Sequence, residues 1–210
     1  MDTVLEFWAF KVAFLYTMYI KMPISFDLEH LRKIHNCVNY FETGLYDPRT
    51  DVSSKLALSC GFDKVYCIEI RKDWVELGNQ IFKQDIASTK YNLYWDDSTN
   101  MKKYLTSEHF KNKTMFFLDA HVDNANIANY KKICPLFDEL EAIKSIERKD
   151  NIILIDDLRI IKEKFPWGET SYGDIDFLQQ IKNTILTINK DYKFDELDGY
   201  IQDDVLLAYI

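Results

Sequence analysis

The sequence predicts an α/β fold built on a mostly parallel sheet. Two continuous apolar runs, at residues 115–118 and 152–155, have the composition of strands that are buried on both faces. Strand-like and helix-like segments alternate along most of the chain, which is typical of α/β proteins. The last two strand-like segments are joined around Asp198-Gly199 without a helix, so we expect an antiparallel edge pair at the end of the sheet.

Seven strands and the helices between them follow from the hydrophobic pattern. The predicted strands cover residues 37–42, 64–70, 91–95, 114–119, 151–156, 192–197 and 205–209. The predicted helices cover residues 26–36, 52–59, 74–82, 99–105, 135–146 and 175–188. A chain of 210 residues suits one domain with a full core. We therefore expect a single domain over 1–210, with a helical N-terminal extension over 1–36 and the core over 37–210.

The N-terminal segment 4–20 is apolar at helical spacing, interrupted by Glu6, Lys11 and Thr17. It is too short and too interrupted to predict stable membrane insertion. It also lacks the basic start and the cleavage site of a signal peptide. We expect an amphipathic helix that packs on the domain, covers the substrate or forms a homodimer contact, and we favour these roles over contact with a membrane surface.

The composition narrows the class of partner and the compartment. The net charge of −8 argues against a nucleic-acid backbone as the main partner. The four cysteines form no CxxC pair, so we expect reduced, buried thiols and a cytoplasmic location rather than a zinc site or disulfides.

Polar residues at the ends of the first three predicted strands indicate a nucleoside cofactor. Glu42-Thr43-Gly44 ends the first strand, and the glycine allows a close backbone approach. Glu69 ends the second strand, where a carboxylate can accept hydrogen bonds from ribose hydroxyls. Asp97-Ser98 follows the third strand, where a polar side chain can meet an adenine amino group, and the Ser98 hydroxyl is also a candidate N-cap.

Acidic residues end the two apolar runs with which the fold prediction began. Asp119 follows the fourth strand, and Asp156 and Asp157 follow the fifth. Because parallel strands end at one edge of a sheet, these carboxylates can form a site for Mg²⁺ or Ca²⁺. His121 lies two residues beyond Asp119 and can take a proton from an alcohol whose oxygen a cation polarises.

Taken together, these residues resemble the class I S-adenosylmethionine-dependent methyltransferases over about 37–210. Glu42-Thr43-Gly44 is similar to the first motif of that family, Glu69 to its ribose-binding acid and Asp97-Ser98 to its adenine-side position. The resemblance implies a Rossmann-like methyltransferase fold: a mostly parallel seven-stranded sheet with an antiparallel last strand, helices on both faces and the strand order 3-2-1-4-5-7-6. Residues 37–210 would then be the catalytic core.

A narrower resemblance rests on Leu118-Asp119-Ala120-His121, on Cys134 to Leu140 and on Ile153 to Arg159. These segments resemble small glycan O-methyltransferases, including those of large algal viruses, and macrocin-type sugar O-methyltransferases. In these families an acid after the fourth strand and a pair after the fifth hold magnesium. Those positions match Asp119, Asp156 and Asp157.

The resemblance assigns a role to each candidate residue. The implied cofactor-binding set is Glu42, Thr43, Gly44, Glu69, Asp97, Ser98 and Asp119. The implied catalytic residues are His121 and Asp119. Some members of these families have an aspartate base where this chain has His121, and Asp47-Pro48-Arg49 replaces the small residues that often follow the first motif.

The expected function is S-adenosylmethionine-dependent O-methylation of a sugar hydroxyl, for example on a deoxysugar such as rhamnose, with a divalent cation, in a host cytoplasm if the protein is viral. One alternative is a nicotinamide-dependent sugar oxidoreductase or epimerase. Against it, the chain lacks GxGxxG and a suitably placed Tyr-x-x-x-Lys, since Tyr130 and Lys131 are adjacent. Another alternative is a non-catalytic cofactor-binding subunit that docks a partner through its first helix.

Overall fold

The computed structural model describes residues 24–50, 53–105, 108–120, 134–163 and 173–210. Seven strands within these ranges form one sheet in the order β3-β2-β1-β4-β5-β7-β6. The strands are β1 (Asn39–Thr43), β2 (Lys64–Glu69), β3 (Tyr91–Trp95), β4 (Thr114–Leu118), β5 (Ile152–Ile155), β6 (Lys193–Leu197) and β7 (Val205–Tyr209). The predicted fold class is confirmed, because this is the expected mostly parallel sheet with the expected strand order.

The pairing directions decide which residues share an edge. Strands β1 to β5 are parallel to their neighbours, whereas β7 is antiparallel to both β5 and β6. The carboxyl ends of β1 to β5 therefore lie at one edge, which we call the carboxyl edge. Because β7 runs the other way, it begins at this edge.

Helices cover both faces of the sheet. They are α1 (Leu28–Ile34), α2 (Ser53–Ser59), α3 (Lys72–Ile81), α4 (Lys83–Ala87), α5 (Leu136–Ser145), α6 (Leu158–Ile161) and α7 (Phe177–Ile188), with 3₁₀ helices at Ser98–Lys103 and Glu108–Lys111. Successive side chains of each strand point to opposite faces of the sheet, so the hydrophobic core has two parts, one on each face. Phe41 and Phe116 pack with α5 and α7 on one face, while Tyr40 and Phe117 pack with α1 and α2 on the other.

The structure refines several predicted elements. The segment predicted as a helix at 99–105 is a 3₁₀ helix over Ser98–Lys103, and α4 and α6 are additional short helices. Helix α1 lies within the predicted extension 1–36, while the predicted helix at 4–20 lies outside the described residues. All four cysteines are free and buried, as the sequence predicted. Within the described ranges, no helix has the length and apolar character needed to cross a bilayer.

Candidate functional site at the carboxyl edge

The ends of β1 and β4 are in tight backbone contact at the carboxyl edge. Gly44 has φ +86°, and a Cβ at this position would lie 2.6 Å from the carbonyl oxygen of Asp119. The Asp119 N–H donates to the carbonyl oxygen of Thr43 at 3.1 Å, and the Thr43 hydroxyl oxygen lies 3.4 Å from the same nitrogen. The glycine is therefore required for contact between the two strand ends, and this contact places Asp119 beside the loop after β1.

The side chain of Glu42 faces away from this junction into the core. It is fully buried, and its two carboxylate oxygens accept hydrogen bonds from the Tyr40 and Ser54 hydroxyls. Ser54 also pairs with the Tyr91 hydroxyl at 2.8 Å. This network joins β1 to α2 and β3, so Glu42 positions the loop that follows β1. A direct contact of Glu42 with a cofactor stays a prediction.

Glu69 organises the loops after β1 and β2. It is 3% exposed, and its Oε2 accepts hydrogen bonds from the N–H groups of Leu45 (2.8 Å) and Tyr46 (3.3 Å). Its Oε1 accepts from the N–H of Arg71 at 2.7 Å. Burial raises the pKa of Glu69, although these three backbone bonds oppose the shift. Each carboxylate oxygen accepts about two hydrogen bonds. Within the described part of the chain Oε1 accepts one bond, which leaves it one position at which a ribose hydroxyl could bind.

The third predicted cofactor position lies at the start of the first 3₁₀ helix. Asp97 is the N-cap, and its carboxylate accepts from the N–H of Thr99 at 2.9 Å. The prediction that Ser98 caps this helix was wrong, because Ser98 is its first residue and is buried. The structure thus brings Asp97 and Ser98 to the same edge as Glu69, beside the end of β3.

Asp96, which sequence reasoning did not select, holds this segment in place. Its carboxylate accepts hydrogen bonds from Lys103 (2.6 Å), Tyr104 (2.7 Å), Asn100 (2.7 Å) and the Asp97 N–H (2.9 Å). Burial acts to raise its pKa, but these donors outweigh burial and lower the pKa of Asp96 to about 2. The sequence signal was the spacing of three hydrogen-bond donors, which follow Asp96 by four, seven and eight residues. The helical turns between them bring these donors back to the Asp96 carboxylate.

This pKa predicts a pH-dependent contribution to stability. Because the pKa of Asp96 in the folded chain is below about 3.9, its unfolded value, its contribution is present above pH 4 and is lost as the pH falls towards 2. After allowance for solvent screening, we expect Asp96→Asn to lower the free energy of unfolding by about 1 kcal/mol at pH 7. Urea denaturation of both proteins at pH 7, 5 and 3 checks this, because about half of the contribution should be lost by pH 3. A difference that stays constant down to pH 3 would contradict the assignment.

Carboxylates from the ends of β5 and the start of β7 form an acidic cluster. One oxygen from each of Asp156, Asp157 and Asp204 lies within 4.8 Å of the others. Asp156 is buried, and its Oδ1 accepts from the N–H of Asp157 at 2.8 Å. Asp157 has a left-handed backbone with φ +64°. The reversed direction of β7 explains why Asp204, which sequence reasoning missed, belongs to this cluster.

Asp119 lies outside this cluster of three acids, but the charges of two of its members act on the Asp119 carboxylate. Removal from water and the neighbouring charges of Asp156 and Asp157 raise the pKa of Asp119 well above its usual range. Three or four carboxylates that repel one another suit a hard divalent cation, which prefers such oxygen ligands. The residues present therefore fit the predicted metal: Asp119, Asp156 and Asp157 would hold it, and Asp204 adds a further negative charge beside them.

Arginine supplies positive charge to this cluster. Arg159 pairs through its guanidinium with Asp157 and Asp204, and its N–H donates to Asp204 Oδ1 at 2.9 Å. The guanidinium also lies over the Tyr200 ring, 4.9 Å from its centroid. His121, the predicted base, lies outside the described residues.

Comparison with solved structures identifies the architecture. The chain aligns over its whole length with 91% of an O-methyltransferase from Bacillus cereus in complex with S-adenosylhomocysteine, at 13% identity and a TM-score of 0.53. The chain has the class I methyltransferase fold. It also matches TomG, an O-methyltransferase from Streptomyces achromogenes involved in tomaymycin synthesis, in complex with S-adenosylmethionine. In that match 87% of this chain aligns with 77% of TomG at 12% identity and a TM-score of 0.52. No protein-family model and no curated protein matches the sequence.

In a class I methyltransferase fold, the carboxyl ends of the parallel strands form the ligand-binding edge. The described candidate residues Glu42, Thr43, Gly44, Glu69, Asp97, Ser98, Asp119, Asp156 and Asp157 all lie at the ends of β1 to β5 or directly after them. The structure therefore collects at one edge both the predicted cofactor positions and the predicted metal ligands.

Proposed function

We propose that the chain is an S-adenosylmethionine-dependent O-methyltransferase that methylates a sugar hydroxyl of a glycan, with the help of a divalent cation. The observation that supports the proposal is the junction at Gly44, where the backbone of Asp119 meets the loop after β1, together with the charges of Asp156 and Asp157, which act on the Asp119 carboxylate. A methyl donor bound along β1 to β3 would present its reactive end to an acceptor held beside β4 and β5. The resemblance to sugar methyltransferases supports a deoxysugar acceptor such as rhamnose.

The described residues would divide the binding task. Gly44 and the adjacent backbone would admit the methionine part of the donor, Glu69 would accept a hydrogen bond from the ribose, and Asp97-Ser98 would meet the adenine. Glu42 would hold the first loop, through Ser54 and Tyr40, in the position that the donor requires. Preorganised positioning of this kind contributes much of the rate enhancement in a group transfer.

The acidic residues would serve the acceptor. Asp119, Asp156 and Asp157 would hold the divalent cation, which when bound lowers the pKa of a hydroxyl that it contacts. His121 would take the hydroxyl proton. The oxygen would then attack the methyl carbon in line, so that a C–O bond forms, the C–S bond breaks and S-adenosylhomocysteine leaves.

Location and assembly follow the same proposal. Four free buried cysteines and the absence of CxxC pairs support a reducing, cytoplasmic environment. The predicted amphipathic segment 4–20 would form a homodimer contact or cover the acceptor.

A transfer assay tests the proposal. The full chain would be incubated with labelled S-adenosylmethionine and a panel of short deoxysugar oligosaccharides, and the products read by mass spectrometry. We expect a gain of one methyl group, loss of at least about 90% of the rate in EDTA and recovery with Mg²⁺.

The outcomes of this assay separate the alternatives. Equal rates with and without EDTA would remove the cation from the proposal. Tight donor binding with every acceptor unmodified would support a non-catalytic subunit. In a parallel incubation with oxidised nicotinamide cofactor in place of S-adenosylmethionine, oxidation of a sugar with reduction of the nicotinamide would instead support the oxidoreductase.

A further inference from the structure

Arg159 occupies a position between two carboxylates that have different surroundings. Its guanidinium pairs with Asp204, which is fully buried, and with Asp157, which is partly exposed. The backbone N–H of Arg159 also donates to Asp204 Oδ1, so Asp204 is held by both the main chain and the side chain of one residue. The pair with Asp157 joins the two side chains.

The ion pair of Arg159 with Asp204 should be stronger than its ion pair with Asp157. Asp204 is removed from water, and it lies where β7 meets the loop after β5, since its carbonyl oxygen accepts from the N–H of Leu158 at 2.8 Å. The Tyr200 ring adds a cation–π contact to the guanidinium of Arg159. Burial and these additional contacts keep Arg159 anchored at Asp204, whereas the pair with Asp157 is closer to solvent.

Asp157 is also one of the predicted metal ligands, and a carboxylate oxygen that pairs with a guanidinium has less negative potential to offer a second cation. We propose that Arg159 is a positioning residue that shares Asp157 with the divalent cation. It holds the Asp157 carboxylate in place before the cation binds, and it yields that carboxylate while it remains anchored to Asp204. This inference rests on the divalent cation of the proposed function.

The proposal has a consequence that a merely structural arginine does not have. If Arg159 competes with the cation for Asp157, replacing Arg159 removes one positive charge from the acidic cluster. It also releases the Asp204 carboxylate, which can then serve as an additional oxygen ligand. The affinity for a divalent cation should then rise, even though the cation-free protein loses a buried ion pair and becomes less stable. Catalysis should fall, because Asp157 is no longer held in one orientation.

The test is a titration of the full chain with Mn²⁺ and with Mg²⁺ by isothermal titration calorimetry, without donor or acceptor. For Arg159→Gln we expect about three- to tenfold tighter cation binding than in the wild type, because one nearby positive charge is lost at a partly exposed site. Thermal melts should show a lower midpoint without cation and a larger cation-induced rise. Cation binding that is unchanged or weaker in this variant would overturn the proposal.

Two further variants make the result specific. Arg159→Lys keeps one positive charge for Asp204 but cannot span two carboxylates. Its affinity for the cation should therefore lie between those of the wild type and Arg159→Gln. This variant carries the test if Arg159→Gln does not fold.

Arg148→Gln is the control, because it removes a comparable arginine, whose Nη2 donates to Asp150 at 3.0 Å at the opposite edge of the sheet. It should leave cation affinity unchanged, and a rise there as large as in Arg159→Gln would overturn the assignment to Asp157.

The failure of this proposal can be told apart from failure of the proposed function. If neither the wild type nor Arg159→Gln binds a divalent cation, the sharing of Asp157 is overturned. Binding of S-adenosylhomocysteine by the same wild-type sample would still support a methyltransferase.

Discussion

Gly44→Ala should lower the free energy of unfolding by about 2–4 kcal/mol and abolish S-adenosylhomocysteine binding. The backbone at Gly44 has φ +86°, which an L side chain adopts only under strain. The added Cβ would also lie 2.6 Å from the Asp119 carbonyl oxygen, so the ends of β1 and β4 would have to separate. Chemical denaturation and calorimetric titration with S-adenosylhomocysteine measure the two effects.

Gly173→Ala is the matched control. Gly173 has φ +83°, almost the same as Gly44, but among the described residues a Cβ there would meet no atom within 4 Å. It should therefore show the backbone strain alone, at about 1 kcal/mol, with no loss of binding. If the two substitutions cost the same and both proteins bind S-adenosylhomocysteine, the close contact between Gly44 and Asp119 does not organise the site.

Asp119→Asn should reduce methyl transfer by about 100-fold or more while it stabilises the cation-free protein by about 1 kcal/mol. The loss of activity follows from removal of a carboxylate at the junction of the proposed cofactor and metal sites. The gain in stability follows because burial and the charges of Asp156 and Asp157 already oppose ionisation of Asp119, as its raised pKa shows. Initial rates and urea denaturation in EDTA measure the two quantities.

Activity should fall while stability rises, and this combination distinguishes a functional acid from a structural one. Asp195→Asn, which removes an exposed acid on β6, should change neither quantity. An Asp119→Asn protein that is less stable in EDTA would show that Asp119 is a structural acid. Full activity in this variant would remove it from both the cofactor site and the metal site.

Residue patterns predicted the strands well because each strand is a short run with a distinct beginning and end. The apolar runs of β4 and β5 are buried on both faces, and buried strands cannot be mistaken for amphipathic helices. The strand order came from the resemblance, since periodicity alone does not say which strands are neighbours. The 3₁₀ helix at Ser98–Lys103 was predicted as an ordinary helix, because the hydrophobic pattern of so short a segment does not separate the two.

The composition of the acidic cluster could be predicted only in part. Asp156 and Asp157 follow β5 directly, so their position at the carboxyl edge follows from the direction of one strand. Asp204 precedes β7, and it reaches the same edge because β7 runs antiparallel to β5. The antiparallel edge pair was itself predicted, so residues just before the last strand could have been added to the candidate site.

Side-chain partners were beyond sequence reasoning. Glu42 was predicted as a cofactor residue from its place in a motif, yet its carboxylate is engaged by Tyr40 and Ser54. Which hydroxyl meets which oxygen depends on how α2 packs against β1, and many packings fit the same pattern. Pairing of Arg159 with Asp157 and Asp204 depends in the same way on how β7 lies beside β5.

The most direct measurement is calorimetric titration of the full chain with S-adenosylhomocysteine, alongside Glu69→Gln. The class I fold and the arrangement of Gly44, Glu69 and Asp97 predict one binding site per chain. The affinity should fall about tenfold when Glu69 loses its charge, since a charged hydrogen-bond acceptor contributes about 1.5–3 kcal/mol. No heat of binding in the wild type, or equal affinity in both proteins, would contradict a donor site at this edge of the sheet.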